Sequence, residues 1–227
     1  MGIQQSKVLS SKIPNKGGQI KVFKIEKTTE TTAETTSEAT KKYRHKLPKY
    51  LTKQEMRQLL SVIKNHRDKI MILFLYNTGL RNSELIHLEI KHLNFENNTV
   101  KVVQGKGGKD RIVNIVDEDL ILALKAYIGN RKKGTLFLSN WGKPFTSRGI
   151  QKIIKKYATK AGLEEISRIT PHTLRHTFAV HALDSGVNIV TINKQLGHKS
   201  LQTTLIYMEI SNKMAREDLE KHTPFKL

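Results

Sequence analysis

The sequence predicts a mainly α-helical fold that carries one small three-stranded antiparallel sheet, an α+β fold. Apolar residues recur at the spacing of helices, every three to four positions, in segments on both sides of residues 92–116. Within residues 92–116 the apolar period changes to two, which is typical of strands with one buried face. The 227 residues, 37% of them hydrophobic, suffice for one packed domain of ordinary size or two small ones.

Residues 1–45 differ in composition from the rest of the chain. They hold few large apolar side chains, and residues 28–40 consist only of Thr, Glu, Ala and Ser. Such a tract cannot bury enough apolar surface to offset the entropy of ordering it, so we expect a flexible, basic, Thr- and Glu-rich segment. The alternating pattern of residues 19–25 is compatible with a single strand inside it.

Three helices are predicted in the first part of the ordered domain, which begins near Leu51. Thr52 and Glu55 have the spacing of a capping box, and they start an amphipathic helix that ends near Asn65. Residues 68–78 are apolar nearly all round, which indicates a buried helix that Gly79 ends. A short helix over residues 82–88 follows with its own cap.

The predicted sheet comes next, and its second turn is rich in glycine and lysine. Its parts are, in order, a strand at 93–95, a turn at 96–98, a strand at 100–103, a turn at 105–109 and a strand at 112–116. Residues 117–128 return to helical spacing, and residues 134–139 are compatible with a short extended piece.

Four further helices are predicted after residue 145. They are a helix capped by Thr146 or Ser147 and ending at Ala161, one capped by Thr170 with Pro171 in its first position and ending before Gly186, one over 188–196 closed by Gly197, and a final helix that Ser200 caps. Tyr207 lies on the final helix. The tail 208–227 contains a polar run, residues 211–220, that is compatible with a helix.

Composition limits the partners. Forty Lys and Arg against twenty Asp and Glu give a formal charge of +20, which favours a polyanion and first of all nucleic acid. A basic surface kept for solubility, as in a ribosomal-type protein without chemistry, is the alternative. The absence of cysteine from the sequence excludes disulfides, thiolate nucleophiles and Cys-based zinc sites. With no apolar run of membrane-spanning length and no secretory signal, we expect no membrane partner and a cytoplasmic location with the DNA.

An anion site is indicated by His172 and Arg175, which lie three positions apart on one face of a predicted helix. This spacing directs an imidazole and a guanidinium at the same object, and the guanidinium fork suits the paired oxygens of a phosphate.

Five more polar residues have both a structural and a functional interpretation. Arg81 can cap a helix or bind an anion, and Glu84 can orient Arg81 or complement the helix N-terminus. Lys106 lies in an ordinary solvated turn or delivers a proton to a leaving oxygen. His198, after Gly197, binds terminal carbonyls or a ligand, and Tyr207 is a half-buried core residue or a nucleophile.

As a set, these side chains have the composition of a phosphate site. Cationic donors stabilise a charged phosphoryl transition state, and a phenol supplies an oxygen nucleophile that needs no metal. The sequence therefore predicts phosphoryl transfer to a tyrosine on DNA, without a cofactor. The residues concerned are Arg81, Lys106, His172, Arg175, His198 and Tyr207.

Zinc is a competing chemistry. His172 and His176 lie four apart on one helix face, as paired zinc ligands do, and His181 and His198 are further candidates. The helix lacks the neighbouring glutamate of hydrolytic zinc helices, however, and Arg175 between the pair repels a cation. We therefore expect no metal, and we interpret His176 as a structural histidine or as a supporting partner of the site.

At this point the chain resembles the tyrosine recombinase (phage integrase) family, from about Leu51 to Tyr207. The motifs, in order, are Thr78-Gly-Leu-Arg81-Asn-Ser-Glu84-Leu85, Gly105-Lys106-Gly-Gly-Lys109, His172-Thr-Leu-Arg175-His176-Thr-Phe-Ala179, Leu196-Gly-His198 and Tyr207. The resemblance implies the catalytic fold of this family, which is mostly helical with a small sheet at one edge.

The resemblance also implies a role for each residue. Tyr207 attacks the scissile phosphodiester and forms a 3′-phosphotyrosine, while Arg81 and Arg175 hold the non-bridging oxygens. Lys106 protonates the leaving 5′-oxygen. His172 acts as base and later as acid, His198 donates to the phosphate, and Glu84 supports Arg81. Neither ATP nor metal is implied, because the energy of the DNA linkage is conserved.

The implied function is site-specific recombination of double-stranded DNA, with a free monomer that forms a tetramer on DNA. A type IB topoisomerase-like nicking and closing activity shares the first step, and an accessory DNA-binding protein is the alternative without chemistry. The division expected is a catalytic domain over 46–207 and a tail, 208–227, that docks on a neighbouring subunit.

The family usually carries a helical core-binding domain ahead of the catalytic one. Residues 1–45 are too short and too polar to build it. We therefore expect a minimal or truncated recombinase, or one that needs a partner to close around DNA, with weak or non-specific binding by the monomer.

Overall fold

The computed structural model describes residues 12–14, 20–22, 48–103, 110–198 and 200–222. Within these ranges the helices are α1 (Lys53–Ser61), α2 (His66–Thr78), α3 (Asn82–Ile86), α4 (Glu118–Ile128), α5 (Ser147–Lys160), α6 (Pro171–Asp184), α7 (Ile189–Leu196) and α8 (Gln202–His222). The strands are β1 (Lys12–Pro14), β2 (Ile20–Val22), β3 (Leu93–Asn94), β4 (Thr99–Val102) and β5 (Arg111–Asn114). Two single-turn 3-10 helices lie at Ile90–His92 and Ile166–Arg168. The predicted fold class, mainly helical with a small three-stranded antiparallel sheet, is confirmed.

Residues 1–46 and 47–227 form separate compact units. In the first unit, β1 and β2 pair as an antiparallel hairpin with Lys12 opposite Val22. The expectation of a single strand at 19–25 is therefore corrected: the strand is shorter, Ile20–Val22, and it pairs with a second strand, Lys12–Pro14, that was not predicted.

The first helices follow the predicted caps, with one corrected boundary. The Thr52 hydroxyl accepts from the Glu55 N–H at 3.1 Å, and the Glu55 carboxylate accepts from the Thr52 N–H at 2.7 Å. Helix α1 ends at Ser61 rather than near Asn65, because the Asn65 side chain accepts from the Asp68 N–H at 3.0 Å and so caps α2. Helix α2 is buried and ends at Gly79, where φ is 63°.

The sheet has the order β3-β4-β5, with both pairs antiparallel and Val100 opposite Val113. These two valines are fully buried and face the core. The first and third strands are shorter than predicted, and β4 begins one residue earlier than predicted. Strand β3 ends at Asn94, whose side-chain oxygen accepts hydrogen bonds from the N–H groups of Glu96 and Asn97. The third strand ends at Asn114 rather than at Val116, which is 82% exposed.

The predicted extended piece at 134–139 is not a strand. Two isolated bridges take its place, Thr135 with Glu89 and Leu138 with Pro144. The predicted glycine-rich turn, with Lys106, lies outside the described residues.

The core positions the end of the chain against α6. Helix α2 packs against α4 and α6, and α6 in turn packs against α7 and α8. The contact among α6, α7 and α8 is apolar, and its buried members are Ala179, Val180, Ile192, Leu196, Tyr207 and Ile210. Helix α8 runs unbroken past Tyr207 to His222, so residues 208–222 of the predicted tail continue the same helix. No helix in the described ranges is both long and apolar enough to cross a membrane.

Candidate active site

Arg175 lies at the centre of the site, on the buried face of α6, and is only 1% exposed. Its guanidinium donates to the carbonyl oxygen of Gly79, at the end of α2, and to that of Leu196, at the end of α7. Both oxygens lack partners within their own helices, so Arg175 caps two helix C-termini at once. Burial, with a smaller effect of Arg81, lowers the pKa of Arg175 to about 10, and the side chain stays charged at neutral pH.

Arg81 lies at the N-terminus of α3 and is held by Glu84, one turn along that helix. Nη1 of Arg81 donates to Oε1 of Glu84 at 2.8 Å, and the Arg81 backbone N–H donates to Oε2 at 2.7 Å. Nη2 donates to the carbonyl oxygen of Gly197 at 3.2 Å. Arg81 thus occupies the N-cap position of α3 without a side-chain hydrogen bond to the backbone of that helix, and its guanidinium faces the segment that carries His198.

Arg111, at the start of β5, is a member of this cluster that the sequence did not indicate. Its two terminal nitrogens donate to the two oxygens of Glu84, at 2.7 and 2.9 Å. The Glu84 carboxylate thus accepts four hydrogen bonds, two from Arg81 and two from Arg111. Burial of Glu84 raises its pKa, but the bonds from Arg111 and Arg81 outweigh this and bring the pKa to about 2. No local signal points to Arg111, because Glu84 lies 27 positions away.

His172 and His176 lie one turn apart on α6, with their rings edge to face at 4.4 Å between centroids. Desolvation is the main cause that lowers the pKa of both rings, and His176 reaches about 4. Arg175 lowers both pKa values further, and Arg81 lowers that of His172. Both imidazoles are therefore neutral at neutral pH, and each can accept a proton or a hydrogen bond.

Tyr207 is 2% exposed, and its hydroxyl lies 2.8 Å from Nδ1 of His176. Burial raises the pKa of the phenol, whereas Arg175 and Arg81 lower it. The phenolic oxygen is therefore close enough to both arginines to feel their charge. Helix α8 supplies this residue to a site whose other members come from α3, β5, α6 and the end of α7.

His198 follows α7 and lies beside the Tyr207 ring, with 6.4 Å between centroids and 18° between ring planes. Its Nδ1 lies 2.8 Å from the hydroxyl of Thr204, which is fully buried in α8. Burial, followed by the charge of Arg175, lowers the pKa of His198 to about 4. The ring is thus neutral and fixed in orientation, with Nε2 available for another partner.

The structure brings together seven of the eight residues predicted for the site, which are Arg81, Glu84, His172, Arg175, His176, His198 and Tyr207. Lys106 lies outside the described residues, and its position stays a prediction. Among the described residues, no three His, Asp or Glu side chains are grouped as ligands for a metal ion. The fourth candidate ligand, His181, lies elsewhere, with its Nδ1 2.9 Å from the Tyr76 hydroxyl.

The arrangement favours chemistry at an anion. The Tyr207 hydroxyl lies at Nδ1 of the neutral His176 imidazole and within the electrostatic reach of the Arg175 and Arg81 guanidinium groups. The carboxylate of this cluster, Glu84, accepts four hydrogen bonds from Arg81 and Arg111. Such a set stabilises negative charge that develops on a phosphate and can move protons between oxygen atoms.

Comparisons with known proteins agree on one family. Residues 49–214 match the profile described as the Phage integrase family. Over 180 residues the chain is 41% identical to the tyrosine recombinase XerA of Pyrococcus horikoshii, and the match covers 77% of this chain and 61% of that protein. The chain thus spans about three fifths of the length of this curated relative.

Solved structures give the same result. The crystal structure of XerA recombinase matches with a TM-score of 0.66 and 33% identity, over 80% of this chain and 68% of that chain. The XerH site-specific recombinase, bound to its difH substrate before cleavage, matches with a TM-score of 0.63 and 29% identity, over 71% of this chain and 50% of that chain.

Proposed function

Because this chain belongs to the phage integrase family of tyrosine recombinases, we propose that it cuts and rejoins double-stranded DNA site-specifically through a 3′-phosphotyrosine intermediate. One observation carries the proposal: the Tyr207 hydroxyl lies on His176 within the electrostatic reach of Arg81 and Arg175. A protein that only binds DNA does not require a buried phenol within the electrostatic reach of two guanidinium groups.

In the proposed cleavage step, the Tyr207 oxygen attacks the scissile phosphorus and the bond from phosphorus to the 5′-oxygen breaks. Arg81 and Arg175 neutralise the non-bridging oxygens as their charge increases. His172, whose lowered pKa keeps it neutral, accepts the phenolic proton. His198 donates to the phosphate through Nε2, because Thr204 engages Nδ1.

Lys106 supplies the proton for the leaving 5′-oxygen in this proposal. The product is a 3′-phosphotyrosine and a free 5′-hydroxyl. Rejoining reverses the step with the 5′-hydroxyl of a partner strand, so the number of phosphodiester bonds is conserved, and no nucleotide cofactor or metal is required. His176 holds the phenol until the phosphate arrives.

The proposed partner is duplex DNA, which a charge of +20 favours. The XerH relative is bound to a DNA substrate, difH, which supports the same partner here. We propose a monomer that assembles as a tetramer on DNA, with the end of α8 docked on a neighbouring subunit, and a cytoplasmic location with the DNA. A nicking and closing activity, or an accessory role without chemistry, is not favoured because the relatives are recombinases.

The test begins with selection of bound duplexes from a random pool by the full chain, and a nicked suicide duplex is then built from the selected sequence. A nick next to the cleavage point lets the short 5′-hydroxyl fragment diffuse away and traps the covalent complex. We expect a protein–DNA adduct on denaturing electrophoresis from the native chain and none from Tyr207→Phe. An adduct that persists in Tyr207→Phe, or bound DNA without any adduct from the native chain, would overturn the proposal.

A further inference from the structure

We propose that Arg111 is a positioning residue for the cleavage reaction, which acts on Arg81 through Glu84. The inference rests on the proposed function. It assigns to Arg111 two tasks: it fixes the carboxylate that orients Arg81, and it offsets the negative charge of that carboxylate. Arg81 then keeps its positive charge for the phosphate.

The main partner of the Arg111 side chain is Glu84. Both terminal nitrogens form charge-assisted bonds to Glu84 in a fork, at 2.7 and 2.9 Å, and Nε donates to the carbonyl oxygen of Gln195 at 3.1 Å. The side chain is 12% exposed. Because both terminal nitrogens of Arg111 bond the same carboxylate, the residue is placed to act on the site through Glu84.

Charge balance explains why a second arginine is present. Arg81 and Glu84 alone would form a neutral pair, and a neutral pair attracts a phosphate only weakly. With Arg111 the cluster of two guanidinium groups and one carboxylate has a net charge of +1. Glu84 can therefore orient Arg81 without cancelling its charge.

The backbone around Arg111 is fixed to the segment that precedes His198. The side-chain oxygen of Gln195 accepts from the Asn114 N–H at 3.1 Å, and its Nε2 donates to the Asn114 carbonyl at 2.8 Å. With the bond from Nε of Arg111 to the Gln195 carbonyl, β5 is held on α7 at both of its ends. Arg111 itself is the first residue of the strand that follows the predicted Lys106 turn.

Gly197 provides the room for this approach. A Cβ at Gly197 would lie 2.6 Å from Cδ of Arg111, closer than non-bonded carbon atoms come, and φ at this residue is 65°. The Gly197 carbonyl also accepts from Arg81. Arg81 and Arg111 thus both contact a glycine that immediately precedes His198.

The test measures adduct formation in a single turnover by the full chain, at saturating protein, on the selected nicked suicide duplex. The variants are Arg111→Gln, which removes the charge and the fork, Arg111→Lys, which keeps the charge, Glu84→Gln, and the double variant of Arg111→Gln with Glu84→Gln. Lys101→Gln is the matched control, because it removes one positive charge from the neighbouring strand β4 at a side chain that is 54% exposed and paired with Asp110.

We expect Arg111→Gln to slow adduct formation about tenfold or more, a size typical of coupled charged neighbours, with little change in the dissociation constant for DNA. Arg111→Lys recovers part of the rate. In the Glu84→Gln background, Arg111→Gln has a much smaller effect, because the charge that it offsets is gone. Lys101→Gln forms the adduct at the native rate.

Two results would overturn the inference. The first is a native rate of adduct formation for Arg111→Gln. The second is an equal loss of rate from Arg111→Gln in the native chain and in the Glu84→Gln variant. The second result would indicate a general structural role. Thermal unfolding of each variant identifies loss of fold. If Arg111→Gln does not fold, Arg111→Lys is used in its place: a rate of adduct formation below the native rate supports the inference, and a native rate overturns it. Failure of the native chain to form any adduct would instead contradict the proposed function.

Discussion

The Tyr207 hydroxyl and Nδ1 of His176 lie 2.8 Å apart, and both groups belong to a contact between α6 and α8 that is largely removed from solvent. The bond joins two neutral groups, since desolvation keeps the pKa of His176 at about 4 and that of Tyr207 raised. The proposed nucleophile is therefore a structural part of this contact, and its chemistry and the stability of α8 are linked.

Loss of the hydrogen bond between His176 and Tyr207 should destabilise the fold. In His176→Phe the Tyr207 hydroxyl has no partner in a buried place, which costs about 1–3 kcal/mol in the free energy of unfolding. Urea unfolding of His176→Phe, Tyr207→Phe and the double variant measures the coupling, which we expect to be about 1 kcal/mol. Additive single effects would show that the bond contributes nothing.

Stability should fall as the pH decreases from about 6.5 towards 4. His176 and His198 have folded pKa values of about 4, below the ordinary value of 6.5, so the unfolded chain binds protons in this window that the folded chain does not. The stabilisation is fully present above pH 6.5. We expect a lower melting temperature at pH 5.0 than at pH 7.5.

Folded Glu84, with a pKa of about 2, stays charged through this range, and its own contribution to the slope begins only as the pH approaches its unfolded value of 4.5. The control is His198→Gln, which removes one of the two rings with a pKa of about 4 and should reduce the difference in melting temperature between the two pH values. An unchanged difference in this variant would assign the effect to other groups.

Arg175→Ala should destabilise the fold strongly. The substitution leaves the carbonyl oxygens of Gly79 and Leu196 without their donor, at a cost of about 2–5 kcal/mol for two buried acceptors. Arg175→Lys keeps the charge but not the fork, and it should recover only part of the loss. Arg148→Lys, at an exposed position of α5, is the matched exchange and should leave the urea midpoint unchanged.

Gly79→Ala should destabilise the fold more than Gly162→Ala, although φ is nearly equal at the two positions, 63° and 64°. The backbone penalty, about 1 kcal/mol, is common to both. At Gly79 the new Cβ would also lie 2.6 Å from Cδ2 of Leu196 and 2.9 Å from Cδ1 of Phe178, whereas nothing lies within 4 Å at Gly162. Equal urea midpoints for the two variants would contradict this packing.

Most of the fold could be predicted because its signals are local. Capping residues and apolar periods indicated α1, α2 and α6, and the change of period indicated the sheet. The boundary at Asn65 was wrong because this residue type is compatible both with the end of one helix and with the cap of the next. Only the hydrogen bond to the Asp68 N–H distinguishes the two.

The candidate site was partly predictable for a different reason. Residues such as Arg81 and Arg175 occur in short motifs, and their chemistry can be read without coordinates. Arg111 could not be found in this way, since its partners, Glu84 and Gln195, are 27 and 84 positions away in the chain. The depth of Tyr207 was equally hidden, because it depends on how α8 packs on α6.

Glu84 divides its four hydrogen bonds evenly between Arg81 and Arg111, and this division has an evolutionary consequence. A relative in which a neutral residue replaces Arg111 keeps only the pair of Glu84 and Arg81, whose net charge is zero. Loss of the acid at position 84 then restores a net charge of +1. Positions 84 and 111 are therefore expected to change together among relatives, while position 81 stays constant.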